Sequence, residues 1–151
     1  MTASRQAGGV ATRGSWKWRL AVAVGAVLLP LVVFLVGDAV MDGSVQTPAN
    51  PDYDQESMEL NAGMVVFVAA LSALLGWGLL AVLERITGKG RMIWTIVAVV
   101  LLLVSLVGPF SGDTDTGSRV VLALLHVSVA VVLIPLLPGP RRSSGGAALA
   151  A

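Results

Sequence analysis

An all-α fold, an integral membrane up-down-up-down four-helix bundle, is what this sequence predicts, and three observations predict it. Hydrophobic residues make up 56% of the 151 and charged residues only 13%, with a mean hydropathy of +0.84. A soluble domain carries about 45–50% apolar and about 25% charged residues, so lipid replaces water as solvent for much of this chain. The apolar residues gather into four runs of membrane-spanning length, since a hydrocarbon core about 30 Å thick needs roughly 17–25 residues at about 1.5 Å each. Finally, the basic residues fall almost entirely on one side of those runs.

The first run is Leu20 to Val36, which follows Trp16, Lys17, Trp18 and Arg19. Pro30 lies well inside it, removes one backbone hydrogen bond and is expected to kink the helix. The second run, Ala62 to Leu83, holds no charge, and Gly88 after it stands where a left-handed cap is expected. The third, Met92 to Val107, is closed by Pro109 and reaches span length if Arg91 snorkels and Phe110 counts. The fourth, Val120 to Leu137, is preceded by Asp115, Thr116 and Ser118 as capping side chains and closed by Pro138. In lipid each run must satisfy its own backbone, so each reads as helix despite its many β-branched residues. Asn50-Pro51-Asp52 marks a turn between runs one and two, after which Asp54 or Ser57 is placed to cap an outward extension of the second helix. Three segments follow: a disordered cytoplasmic tail over residues 1–15, the transmembrane domain over 16–138 and a second disordered tail over 139–151.

Charge sets the expected orientation. Arg5, Arg13, Lys17, Arg19, Arg85, Lys89, Arg91, Arg141 and Arg142 share one side, and only Arg119 lies on the other. Asp38, Asp42, Asp52, Asp54, Glu56, Glu59, Asp113 and Asp115 face away from them, with Glu84 the exception. Cytoplasmic loops are enriched in Lys and Arg, which places both termini and the 84–91 link inside and the 38–61 and 108–119 loops outside. Trp16, Trp18 and Trp94 then form an aromatic belt at the inner interface. A cleaved signal peptide is disfavoured, because the first run exceeds about 7–15 residues, contains Pro30 and is followed by no good small-x-small site.

Short links imply antiparallel neighbours, and the 84–91 link makes spans two and three a helical hairpin. Ala62, Ala69, Ala73 and Gly76, with Ser72 beside them, form a small-residue stripe on span two, and Ala21-x-x-x-Gly25 forms a shorter one on span one. Such stripes let backbones approach closely; packing of helix one on helix two is the plain reading and a homo-oligomer seam the sharper one.

His126 is the one ionisable side chain inside a span, roughly 10 Å below its outer boundary by helical rise. An ionisable group there is costly unless paired, which makes it a functional candidate. Ser105 and Ser72 lie at neighbouring depths, so His126, Ser105 and Ser72 form an expected intramembrane polar cluster. The plain alternative is a neutral histidine held by Ser105 or a carbonyl, since no carboxylate or basic side chain extends a relay. Asp52, Asp54, Glu56 and Glu59 in the outer loop match no calcium-loop spacing and read as a solvated acidic face. Asp113-x-Asp115 reads as helix capping, and Glu84-Arg85 as an interfacial pair. There is no cysteine, which excludes disulfides and thiolate metal sites. No phosphate loop or catalytic signature occurs, so neither cofactor nor catalytic residue is implied.

Residues 16–138, through WKWRLAV, LLAVLERITGKGRMIWTIVAVVLLLVSLVGPFSGDTDTGSR and LALLHVSVAVVLIPLL, resemble an uncharacterised family of four-span actinobacterial membrane proteins. The resemblance implies a plasma-membrane protein and carries no active site across. Small multidrug exporters, quinone-linked disulfide oxidoreductases, claudins and tetraspanins are disfavoured, because the carboxylate or cysteines they need are missing. The expected function is a non-enzymatic accessory or partner-binding membrane subunit. A small oligomeric transporter or channel using His126 is the alternative, and a lipid-acting enzyme with His126 as base the least supported. The expected partners are the bilayer and a membrane protein or a second copy, not nucleic acid.

Overall fold

The computed structural model describes residues 16–50 and 54–139. The two tails, with Arg5, Arg13, Arg141 and Arg142, lie outside the described residues apart from Gly139, as do Pro51 and Asp52 of the expected turn. Four helices run through the rest: α1 (Trp16–Val40), α2 (Ala62–Ile86), α3 (Gly90–Ser111) and α4 (Thr116–Leu136). All four are long and apolar enough to cross a membrane, and they form an all-α four-helix bundle. α1 packs on α2 and α4, and α3 packs on the same two from the opposite corner. α1 and α3 do not meet, while α2 and α4 touch narrowly across the diagonal.

Two apolar clusters hold the bundle. At the end carrying the termini, Val22 and Ala26 of α1, Ala73 and Leu80 of α2, Trp94 of α3 and Leu133 and Leu137 of the α4 end are all buried. At the end carrying the long loop, Phe34, Val65, Val121, Leu122 and Leu125 close around Val45, which the loop inserts. α3 contributes nothing to this second cluster, and its buried residues are only Gly90, Trp94 and Pro109.

The helix ends differ from the sequence expectations in physically readable ways. Asn61, rather than Asp54 or Ser57, caps α2: its side-chain oxygen accepts from the Met64 amide at 3.0 Å. Gly88 is not in the left-handed region; the extended Thr87 ends α2, with its amide donating to the Leu83 carbonyl at 3.0 Å. Pro109 does not close α3 but sits inside it, because the preceding Gly108 has no Cβ to clash with the proline ring. α1 continues unbroken through a fully buried Pro30. Asp115 caps α4 as expected, accepting from the Ser118 amide at 2.9 Å, and Gly139 beyond Pro138 takes a left-handed φ of 79°.

Ala69, Ala73 and Gly76 are buried within the single chain, which fits the intramolecular role of the small-residue stripe. Ala21 is exposed, and a Cβ on Gly25 would approach Val132 of α4 at 3.7 Å. The first small pair therefore does not pack α1 on α2; Gly25 belongs to the α1–α4 contact. The same two helices approach closely at Gly37, where a Cβ would lie 2.7 Å from Val121.

The terminal end is laced by polar contacts. Glu84 pairs not with Arg85 but with Arg19 across the α1–α2 interface at 2.6 Å. Sequence neighbours on a helix point about 100° apart and do not face each other, whereas Glu84 faces α1. Trp18 Nε1 donates to the Leu136 carbonyl at 2.8 Å, and Arg91 Nη2 to the Gly139 carbonyl at 2.6 Å. Trp16 and Trp18 are exposed, as belt residues are, but Trp94 is buried in the core.

Candidate functional site

The long loop folds over its end of the bundle as a lid, and its described acidic residues Asp54, Glu56 and Glu59 are exposed. Thr47 and Met58 bond across it, Leu60 N donates to Val45 O at 2.9 Å, and Asn50 and Gln55 exchange amide bonds of 2.8 and 3.0 Å around the turn. Ala49 and Asp113 exchange another pair at 3.0 and 2.9 Å, tying the lid to the α3–α4 connection. The Gln46 amide donates to Ser118 Oγ at 3.0 Å, so the lid also rests on the α4 cap. Hydrogen bonds from the Ser118 side chain and amide hold the Asp115 carboxyl below the usual carboxylate range. Among the described residues no group of three acidic or histidine side chains comes together as a metal site.

Beneath the lid the middle of α3 stands away from α2 and α4, leaving a cleft of about 570 Å³. Leu75 and Gly76 of α2, Leu101 and Leu102 of α3 and Leu125 and Val129 of α4 are among its apolar walls. Val68, Leu75 and Leu101 line it yet are 56%, 65% and 57% exposed, so the cleft opens sideways between α2 and α3. Trp94, 3% exposed, also lines it, and its Nε1 is buried without a hydrogen-bond partner.

His126, Ser105 and Ser72 all line this cleft, one from each of α4, α3 and α2. They do not bond to one another. His126 Nδ1 lies 2.7 Å from the Leu122 carbonyl one turn back, and Ser105 Oγ and Ser72 Oγ donate to Leu102 and Val68 carbonyls at 2.8 Å each. The histidine is thus held by a carbonyl of its own helix and locks no helix pair.

A second cavity of about 300 Å³ lies above the first, lined by Thr47, Pro48, Asn50 and Gln55 of the lid and by Ser111 and Gly112. Thr47, Ser105, Leu122 and His126 line both. His126 and Ser105 therefore stand where a polar vestibule meets an apolar cleft. Sequence reasoning missed Trp94 as a cleft residue and missed the lid polar groups altogether. The signal for Trp94 was Gly76, whose Cβ would come within 2.9 Å of the indole; the lid residues carry no periodicity that would have marked them.

Four membrane-length helices around a laterally open cleft, with no assembled catalytic set among the described residues, define a multi-pass membrane protein of the four-helix-bundle class. Residues 10–143 match DUF6069, a family of unknown function, and the chain belongs to that family. No curated protein and no solved structure matches it.

Proposed function

We propose that this is a non-enzymatic accessory protein of the plasma membrane, with both termini cytoplasmic, that binds a lipid-like molecule in the α2–α3–α4 cleft. The observation that carries the reading is the cleft itself, apolar over most of its wall and open to the side on which acyl chains lie. Its volume selects among occupants. Small-molecule sites run to about 300–1,000 Å³, and the 570 Å³ here falls within that range, which supports a chain-like amphiphile as the occupant. The orientation and the plasma-membrane setting rest on the one-sided basic residues and on the resemblance to four-span actinobacterial proteins.

A small oligomeric transporter or channel using His126 is the second reading, favoured by the continuity of the two cavities through His126 and Ser105. Against it, the buried Leu80, Trp94, Leu133 and Leu137 close the terminal end, so the path is one-ended.

Extraction in polymer nanodiscs, followed by mass spectrometry of tightly retained lipid, tests the binding reading. Wild type should retain a stoichiometric amphiphile, and Ala98→Trp, which fills the cleft from α3, should lose it while staying folded. Equal retention by both proteins would remove the cleft as the binding site.

A further inference from the structure

We infer that the ligand of this cleft is an uncharged single-chain amphiphile headed by a hydroxyl, which donates its proton to His126 Nε2. The inference rests on the cleft-binding reading and adds the chemistry of the head. A carbonyl only accepts, so the short contact of His126 Nδ1 with Leu122 O puts the imidazole proton on Nδ1. Nε2 then carries a lone pair, and no described residue donates to it. Ser105 and Ser72 have likewise spent their hydroxyl protons on Leu102 and Val68 carbonyls. Each polar side chain contributed by the three cleft helices at this level thus presents lone pairs only. An acceptor-only cluster calls for a donor.

The surroundings narrow the donor further. Among the described residues no lysine, arginine or acidic side chain lines either cavity. A phosphate or carboxylate head would find no countercharge, and its oxygens would meet the lone pairs of His126 and Ser105. An ammonium head would be a donor, but it would bring an unpaired charge against an apolar wall, which is costly. A hydroxyl supplies one proton without charge. The chain below it lies along Val129 and Leu133 towards Trp94, which stands about 16 Å from the Ser105 level by the rise of α3.

The test uses the full-length protein in phosphatidylcholine nanodiscs and a diazirine-bearing long-chain alcohol as the photolabel, with labelled residues mapped by mass spectrometry. Label should appear on the cleft faces of α2, α3 and α4. Hexadecanol should compete about tenfold better than methyl hexadecanoate, which has the same chain and no donor. His126→Leu should still take label but lose that preference, whereas His126→Gln, whose amide oxygen accepts, should keep part of it. Because the preference is a ratio within one protein, a partly misfolded variant does not imitate its loss. Should His126→Leu fail to fold, the wild-type ratio decides. Equal competition by the ester, stronger competition by hexadecanoate, or a preference unchanged in a folded His126→Leu would overturn the hydroxyl head and leave the cleft as a binding site. Absence of label from the cleft faces would overturn the cleft reading itself and this inference with it.

Discussion

Arg19 and Glu84 meet at 2.6 Å with side chains only 9% and 25% exposed, and the Arg19 Nε is buried without a partner. Removing one member of such a pair leaves the other charge uncompensated, which costs about 3–5 kcal/mol. Glu84→Gln should therefore lower the stability of the purified protein by about 3 kcal/mol. Arg19→Met/Glu84→Leu should recover much of that loss, as a double-mutant cycle in denaturant would register. Asp115 acts at the other end of the molecule. Its carboxyl is held below the ordinary range by Ser118, so the stabilisation it gives is complete above the ordinary carboxylate range and disappears as pH falls through its lowered value. The melting temperature of wild type should drop across that acid window. Asp115→Asn should start lower and show a smaller drop, because its cap no longer titrates.

Among the helices, α3 is the outlier. It is anchored near its ends by Trp94 and Pro109 and linked to the lid through Gly112, whose Cβ would come within 2.5 Å of the Ala49 carbonyl. Between those anchors its apolar side chains face lipid or the cleft; Val104 is 63% exposed. A lipid-facing side chain trades one apolar contact for another when shortened, whereas a core residue leaves a cavity. Val104→Ala should thus change stability by no more than about 0.5 kcal/mol. Leu133→Ala, taken from the terminal cluster at 6% exposure, should cost about 3 kcal/mol, and thermal unfolding of the two variants in one detergent would separate them. The lid is likewise an element with a job: by inserting Val45 and bonding to Asp113 and Ser118 it roofs the vestibule above His126.

At the scale of the whole molecule, charge asymmetry and packing asymmetry run along the same axis. The terminal end gathers Lys17, Arg19, Arg85, Lys89 and Arg91 among the described residues and is closed by buried apolar side chains. The loop end carries Asp38, Asp42, Asp54, Glu56, Glu59, Asp113 and Asp115 and holds the vestibule. If orientation follows the basic residues, a membrane-impermeant maleimide applied to intact cells should label Ser44→Cys in the lid and spare Lys89→Cys in the short link. The reverse pattern would turn the protein over in the bilayer. The lack of native cysteines makes this reading free of background.

Four apolar helices and the α4 cap were legible in the chain, because length, hydropathy and capping are local properties. Polar residues at the level of the cleft were legible too, since a histidine and serines stand out in apolar runs. What they bond to was not. Whether His126 reaches Ser105 or its own Leu122 carbonyl depends on how far α3 stands from α4, and no single helix encodes that spacing. The same holds for Glu84, whose partner lies 65 positions away on α1, and for Trp94, drawn from the expected belt into the core by the space over Gly76. Composition determined that this chain lives in lipid; only the tertiary packing decided that it keeps a cleft there, because a void between helices is a property of their separation and not of any one of them.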